Sequence, residues 1–174
     1  MERLCRAVDR LNGAVGVVAA WLIAPLVMAL CYEVIARYVF GAPTIWAFEI
    51  GYLLTGSGWL LGLAYALSKK AHIRIDMFYL NMPPRMQALI DVLGYALLLL
   101  PFLIWVATVL DDRAIQAFRS GERSGQSAWN PPLWPFRTVF FVSFALLALQ
   151  AMAETVRAFA ILLRGRAAGA GEPR

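Results

Sequence analysis

The sequence predicts an all-α integral membrane protein. It has four transmembrane helices, both termini in the cytoplasm (N-in/C-in), and a short interfacial helix between helices 2 and 3. Three observations carry this. Hydrophobic residues make up 61% of the 174 residues and charged residues 16%, where soluble chains hold about 45–50% and about 25%. A soluble domain of this size has no way to hide so much apolar surface. The charges are confined between long charge-free runs, and Lys and Arg divide eleven to five between the two sides that those runs define.

A charge at a helix centre costs about 2.5–3.5 kcal/mol, so the charge-free runs locate the crossings. Leu11 to Tyr32 gives 22 residues, and Ile50 to Ser68 and Val92 to Leu110 give 19 each. All three meet the roughly 17–25 residues needed to cross. Pro25 is expected to kink the first, a distortion that membrane helices tolerate. That run also exceeds a signal-peptide core and lacks a small-residue cleavage site. The fourth run, Thr138 to Ala153, has 16 residues. Its helix is expected to start near Trp134, with Arg137 snorkelling outward, and to continue past Glu154 and Arg157.

The crossings are placed at 12–35, 49–68, 88–111 and 134–160 within one domain, 1–164. Residues 165–174, rich in Gly and Ala, are expected to form a disordered cytoplasmic tail. The third helix is expected to run from Pro84, suited to a first turn, to Phe118, about 50 Å at 1.5 Å per residue. Asp76 can cap the short interfacial helix bearing Met77, Phe78, Tyr79 and Leu80. The richer share of Lys and Arg puts both termini inside, and Trp46, Trp129 and Trp134 then fall at the outer interface.

Several function classes drop out. The one histidine, His72, does not supply the two ligands of a bis-histidine haem. Cys5 and Cys31 form no C-x-x-C pair, so neither a redox couple nor a zinc site is indicated. No cofactor, metal or catalytic group is expected. The basic residues are scattered between apolar spans, which argues against nucleic acid. A net charge of +5 suits an anionic membrane face, making membrane lipids a partner.

A transporter or membrane enzyme needs polar groups at mid-membrane to meet desolvated ions. The crossings offer only Thr55 and Ser57, Thr108, and Ser143 and Gln150. The deficit points to a partner subunit rather than a pore or an enzyme. The candidate subunit contacts are therefore the polar groups at the span ends and the small residues between them. Glu33 and Arg37, spaced i, i+4, either form an interfacial ion pair or dock another subunit, and proton coupling is a third role. Glu49, just after Trp46, is either a helix-start charge favoured by the dipole or a contact to a partner's basic group. Gly58 and Gly62 let another helix approach closely, within the bundle or from a foreign subunit. His72, Arg74 and Asp76 form either a capped cytoplasmic turn or a docking corner.

Taken together, Arg37-Tyr38-Val39-Phe40-Gly41, then Trp46-x-x-Glu49, then His72-Ile73-Arg74-Ile75-Asp76 resemble the small permease subunit of tripartite ATP-independent periplasmic (TRAP) transporters, the DctQ-like family. The segment Cys5 to Asn12, Pro83-Pro84-Arg85 and Leu149-Gln150 are also similar to it. The resemblance implies a complex in the bacterial inner membrane. A periplasmic substrate-binding protein delivers an organic acid, and a large permease carries it together with the coupling ion. The small subunit braces that permease as a scaffold. Two alternatives remain: a small four-span proton-coupled exporter, and a membrane electron-transfer protein. The first wants an acid deep in span one, and the second wants ligands that this chain lacks.

Overall fold

The computed structural model describes residues 2–69 and 84–169. Among them the chain forms α1 (Glu2–Trp21), α2 (Ile23–Tyr38), α3 (Ala47–Ser68), α4 (Pro84–Leu93), a π-helical segment (Gly94–Leu99), α5 (Leu100–Ser120) and α6 (Trp134–Gly169). The described residues hold no strand, only an isolated bridge between Arg123 and Pro132. Four helical stretches are long and apolar enough to cross a membrane: Arg3–Tyr38, Ala47–Ser68, Gly94–Ser120 and Trp134–Ala160. These are the four crossings read from the charge-free runs. The segment expected to form the interfacial helix lies outside the described residues.

Proline chemistry shapes two of the crossings. Pro25 has no N–H for the carbonyl of Trp21, and its ring presses on that carbonyl. The first crossing accordingly breaks at Leu22, whose N–H is shared between Val18 O at 3.2 Å and Ala19 O at 3.3 Å. Pro101 presents the same problem to the carbonyl of Leu97. Here the helix widens instead, and the N–H of Leu100 reaches back five residues to Tyr95 O. The third helix thereby runs unbroken from Pro84 to Ser120. Gly121 ends it in the left-handed conformation, φ 64°, its N–H bonded to Ala117 O.

α6 is the hub. Within its most apolar stretch 39% of residues are buried, against 6–11% in the other three crossings. It packs on α3, on α4 and α5, and on α1. The central cluster joins Ala64 and Leu67 of α3, Leu103 of α5, and Leu146, Leu147 and Ala151 of α6. Most of the buried apolar residues are alanines, as expected where helices associate by close backbone approach. The large side chains point outward: Trp59, Leu98 and Trp105 are 74%, 78% and 65% exposed. That is an inverted arrangement for water and an ordinary one for lipid. α6 continues through Gly169, beyond the residue where composition predicts the tail to begin.

Candidate functional site

Polar side chains gather at the two ends of the bundle. At the end of the bundle where α2 leads into α3, Glu33 works as a clasp. Its Oε1 accepts from Arg37 Nε at 2.8 Å and also from Arg37 Nη2. Its Oε2 accepts the backbone N–H of Thr44 at 2.8 Å and the Thr44 hydroxyl. The expected i, i+4 pair is therefore present, and one carboxylate also ties the loop after α2 back onto its own helix. The loop includes Gly41 at φ 60°, a left-handed turn that glycine adopts at no steric cost. Trp46 closes the clasp by stacking on Tyr32, ring centroids 5.7 Å apart and 24° between planes. The shelf held in this way carries exposed Tyr38, Val39, Phe40, Ile45 and Phe48.

Glu49, on the first turn of α3, is fully enclosed, and neither carboxylate oxygen has a hydrogen-bond partner among the described residues. It cannot touch a neighbour across the present surface. Close by, an aromatic chain links α3 to α6: Tyr52 meets Phe136 edge-on at 5.7 Å, and Phe136 meets Phe140 at 4.9 Å. Arg137 does not simply snorkel. It pairs with Glu122 at 2.8 Å. The loop between α5 and α6 folds back on itself, with Ser124 N–H donating to Pro131 O and Leu133 N–H donating to Glu122 O.

At the opposite end lies a network that the sequence reading did not assemble. Asn12 Nδ2 donates to Gln150 Oε1 at 2.6 Å. Gln150 Nε2 donates to Asp9 Oδ1 at 3.0 Å and to Glu154 Oε1 at 3.2 Å. Arg157 bridges the carboxylates, with Nη1 to Glu154 at 2.6 Å and Nη2 to Asp9. Asn12 and Gln150 are fully buried and Glu154 nearly so. The α1 pair is spaced i, i+3, and the α6 triad i, i+4, i+7, each on one helical face. That spacing was the available signal. α1 and α6 meet here, so the start of α1 and the later part of α6 lie at the same end of the bundle.

The small-residue stripe divides. A Cβ on Gly58 would sit 3.6 Å from Ala19 O, in ordinary contact with α1. One on Gly62 would meet nothing within 4 Å. The tightest approaches fall at two glycines not singled out by the motif. A Cβ on Gly16 would lie 2.7 Å from the Tyr65 ring, and one on Gly56 2.9 Å from Phe136. His72, Arg74 and Asp76 lie outside the described residues.

Several hydroxyls on the crossings are bonded to carbonyls of their own helix: Ser143 to Val139 O at 2.7 Å, Thr108 to Trp105 O at 2.7 Å, and Thr155 to Ala151 O at 2.8 Å. Among the described residues no group of three or more His, Cys, Asp or Glu side chains is placed to hold a metal ion.

Fold and site together define a multi-pass membrane protein whose polar groups serve mainly to hold its own helices. The family described as tripartite ATP-independent periplasmic transporters, DctQ component, matches residues 26–161. The chain belongs to this family, the small permease component of TRAP transporters. No curated protein is similar enough to stand beside it as a relative. Membership implies a tripartite system with a large permease and a periplasmic binding protein, and places the chain among transporter components rather than enzymes.

Proposed function

We propose that the chain is the scaffold of a TRAP-type secondary transporter. It braces the large permease while that subunit takes up an organic acid from the periplasmic binding protein, driven by an ion gradient. It sits in the bacterial inner membrane with both termini in the cytoplasm, following the eleven-to-five division of Lys and Arg. The observation that carries this reading is the membrane interior of the bundle. It is packed with Ala and Leu, and the Ser143 and Thr155 hydroxyls there are turned back on their own helix. An ion or carboxylate crossing such an interior would meet no ligand set.

The contact with the large permease is proposed at the two ends of α3. At the outer end Glu33 and Arg37 fix the loop, and Trp46 and the aromatic shelf present it. Glu49 lies beneath as a carboxylate that a partner's cation can reach only if this end opens. At the inner end the proposed contact is the segment that follows α3 in sequence and holds His72, Arg74 and Asp76. Gly58 and Gly62 lie between.

Reconstitution tests the reading. The chain alone in liposomes under a sodium or proton gradient is expected to take up no organic acid. Uptake is expected only when the large permease and the binding protein are added. Ion-driven uptake by the lone chain would overturn the scaffold assignment and restore the exporter alternative.

A further inference from the structure

A groove of about 570 Å³ runs along the seam between the first crossing and α3. Of its fourteen lining residues, eleven are Gly, Ala, Leu or Ile; the others are Thr55, Trp59 and Tyr65. Its floor is the close approach of the two helices, where Gly58 faces the Ala19 carbonyl and Gly16 faces Tyr65. Beyond Leu54 the seam closes, Leu30 lying against Gly51.

The length of the groove selects its occupant. From Leu54 to Ala66 it follows thirteen residues of α3, a rise of about 18 Å at 1.5 Å per step. The hydrocarbon of one leaflet is about 15 Å deep, half of about 30 Å. A membrane-spanning helix of a partner needs a seat of about twice that length. One hydrocarbon chain from one leaflet does not.

Charge selects the rest of the molecule. The α3 lining of the groove ends at Ala66, three residues before Lys69, which caps the helix, exposed, its ammonium 5.6 Å from the centroid of the Tyr65 ring that lines the groove. Arg3 and Arg10 lie exposed on α1 at this same end of the bundle. Basic side chains at a membrane surface draw anionic headgroups.

We propose that this groove seats one acyl chain of an anionic phospholipid from the leaflet at the Lys69 end, with the Lys69 ammonium against its phosphate. The groove is formed by this chain's own helices, and the proposal requires that a lipid rather than a helix of the large permease fills it beside Gly58 and Gly62.

Native mass spectrometry tests it. The full chain, alone and co-purified with the large permease, is released from nanodiscs of mixed phosphatidylglycerol and phosphatidylcholine. One retained lipid is expected in both preparations, with phosphatidylglycerol preferred. Lys69→Gln is expected to lower that preference about fivefold while the lipid stays bound. Gly62→Leu fills the groove where a Cβ meets nothing within 4 Å, and is expected to abolish retention of both lipids with folding intact. Ala66→Leu is a second filling variant should the first fail to fold. The proposal is overturned by a wild-type chain that retains no lipid, by retention that survives either filling variant, or by unchanged selectivity in Lys69→Gln. Loss of the lipid on co-purification would also overturn it, because a partner helix would then be the occupant.

Discussion

The two ends of the bundle, outer and inner in the proposed orientation, use similar polar side chains for different purposes. At the outer end Glu33 bonds to residues four and eleven positions away, so its reach is local and it shapes a loop. At the inner end Asn12, Asp9, Gln150 and Arg157 bond across 138 to 148 residues, so they fix one terminal helix against the other. The outer clasp is half in solvent, with Arg37 55% exposed. The centre of the inner network has lost its water. The difference teaches where stability and presentation are separated in this molecule. Burial makes a polar contact costly to break, and exposure leaves it free to organise a surface.

Breaking the inner end is expected to have the largest effect. Gln150→Leu leaves Asn12 and Glu154 short of a partner in a site without water. The cost is about 1–3 kcal/mol for each group left unsatisfied. Thermal unfolding in detergent should show a clearly lowered midpoint, and a melt like the wild type would mean that water already serves these groups. Adding Asn12→Leu sharpens the point. The double variant removes both members of the buried pair, and is expected to recover part of the loss, with a coupling of about 0.6–1.7 kcal/mol. Strict additivity of the two substitutions would dissolve the pair as a unit.

The outer end should respond in a different observable. Glu33→Ala frees the Thr44 amide and the loop around it, so hydrogen exchange over residues 39–46 should accelerate while the unfolding midpoint holds. Unchanged exchange would show that Gly41 and the Tyr32–Trp46 stack suffice. The smallest effect is expected at the Arg137–Glu122 pair, whose side chains are 38% and 37% exposed. Glu122→Gln should shift stability by no more than about 0.2–1 kcal/mol, and a larger drop would place that loop among the inner-end class of contacts.

The four crossings were legible because insertion energetics act on single residues, so a charge-free run already states where a helix can cross. The Glu33–Arg37 pair was legible for a similar reason, since both members share one helix face. The inner network was not, because its members look unremarkable separately. Gln150 read as one of the few polar groups on the crossings and, like the Cys5 to Asn12 segment that holds Asp9 and Asn12, as part of the family resemblance, and only the packing of α1 on α6 makes them one unit. Gly58 and Gly62 formed the recognisable motif, yet Gly16 and Gly56 make the tightest approaches. Their role depends on Tyr65 and Phe136 arriving from other helices, which no local spacing encodes. The break at Leu22 followed from Pro25, whereas the widening before Pro101 did not. A proline can be absorbed by a bend or by a wider turn, and surrounding packing decides between them.

The position of α6 at the centre has a consequence for how the protein is made. The hub leaves the ribosome after α1 to α5, so they enter the bilayer before the helix that most of them pack against exists. Asp9 and Asn12 wait through 138 to 148 residues of synthesis for Gln150 and Arg157. Until then the first crossing stands with polar groups unmatched, and the core cluster lacks Leu146, Leu147 and Ala151. Assembly of the full bundle therefore waits for α6: a nascent chain halted before Trp134 keeps the packing of α1 and α2 on α3 but lacks the partners of Asp9 and Asn12. Membrane quality control that recognises unmatched polar groups has a natural reporter in Asp9 and Asn12, silenced when α6 arrives.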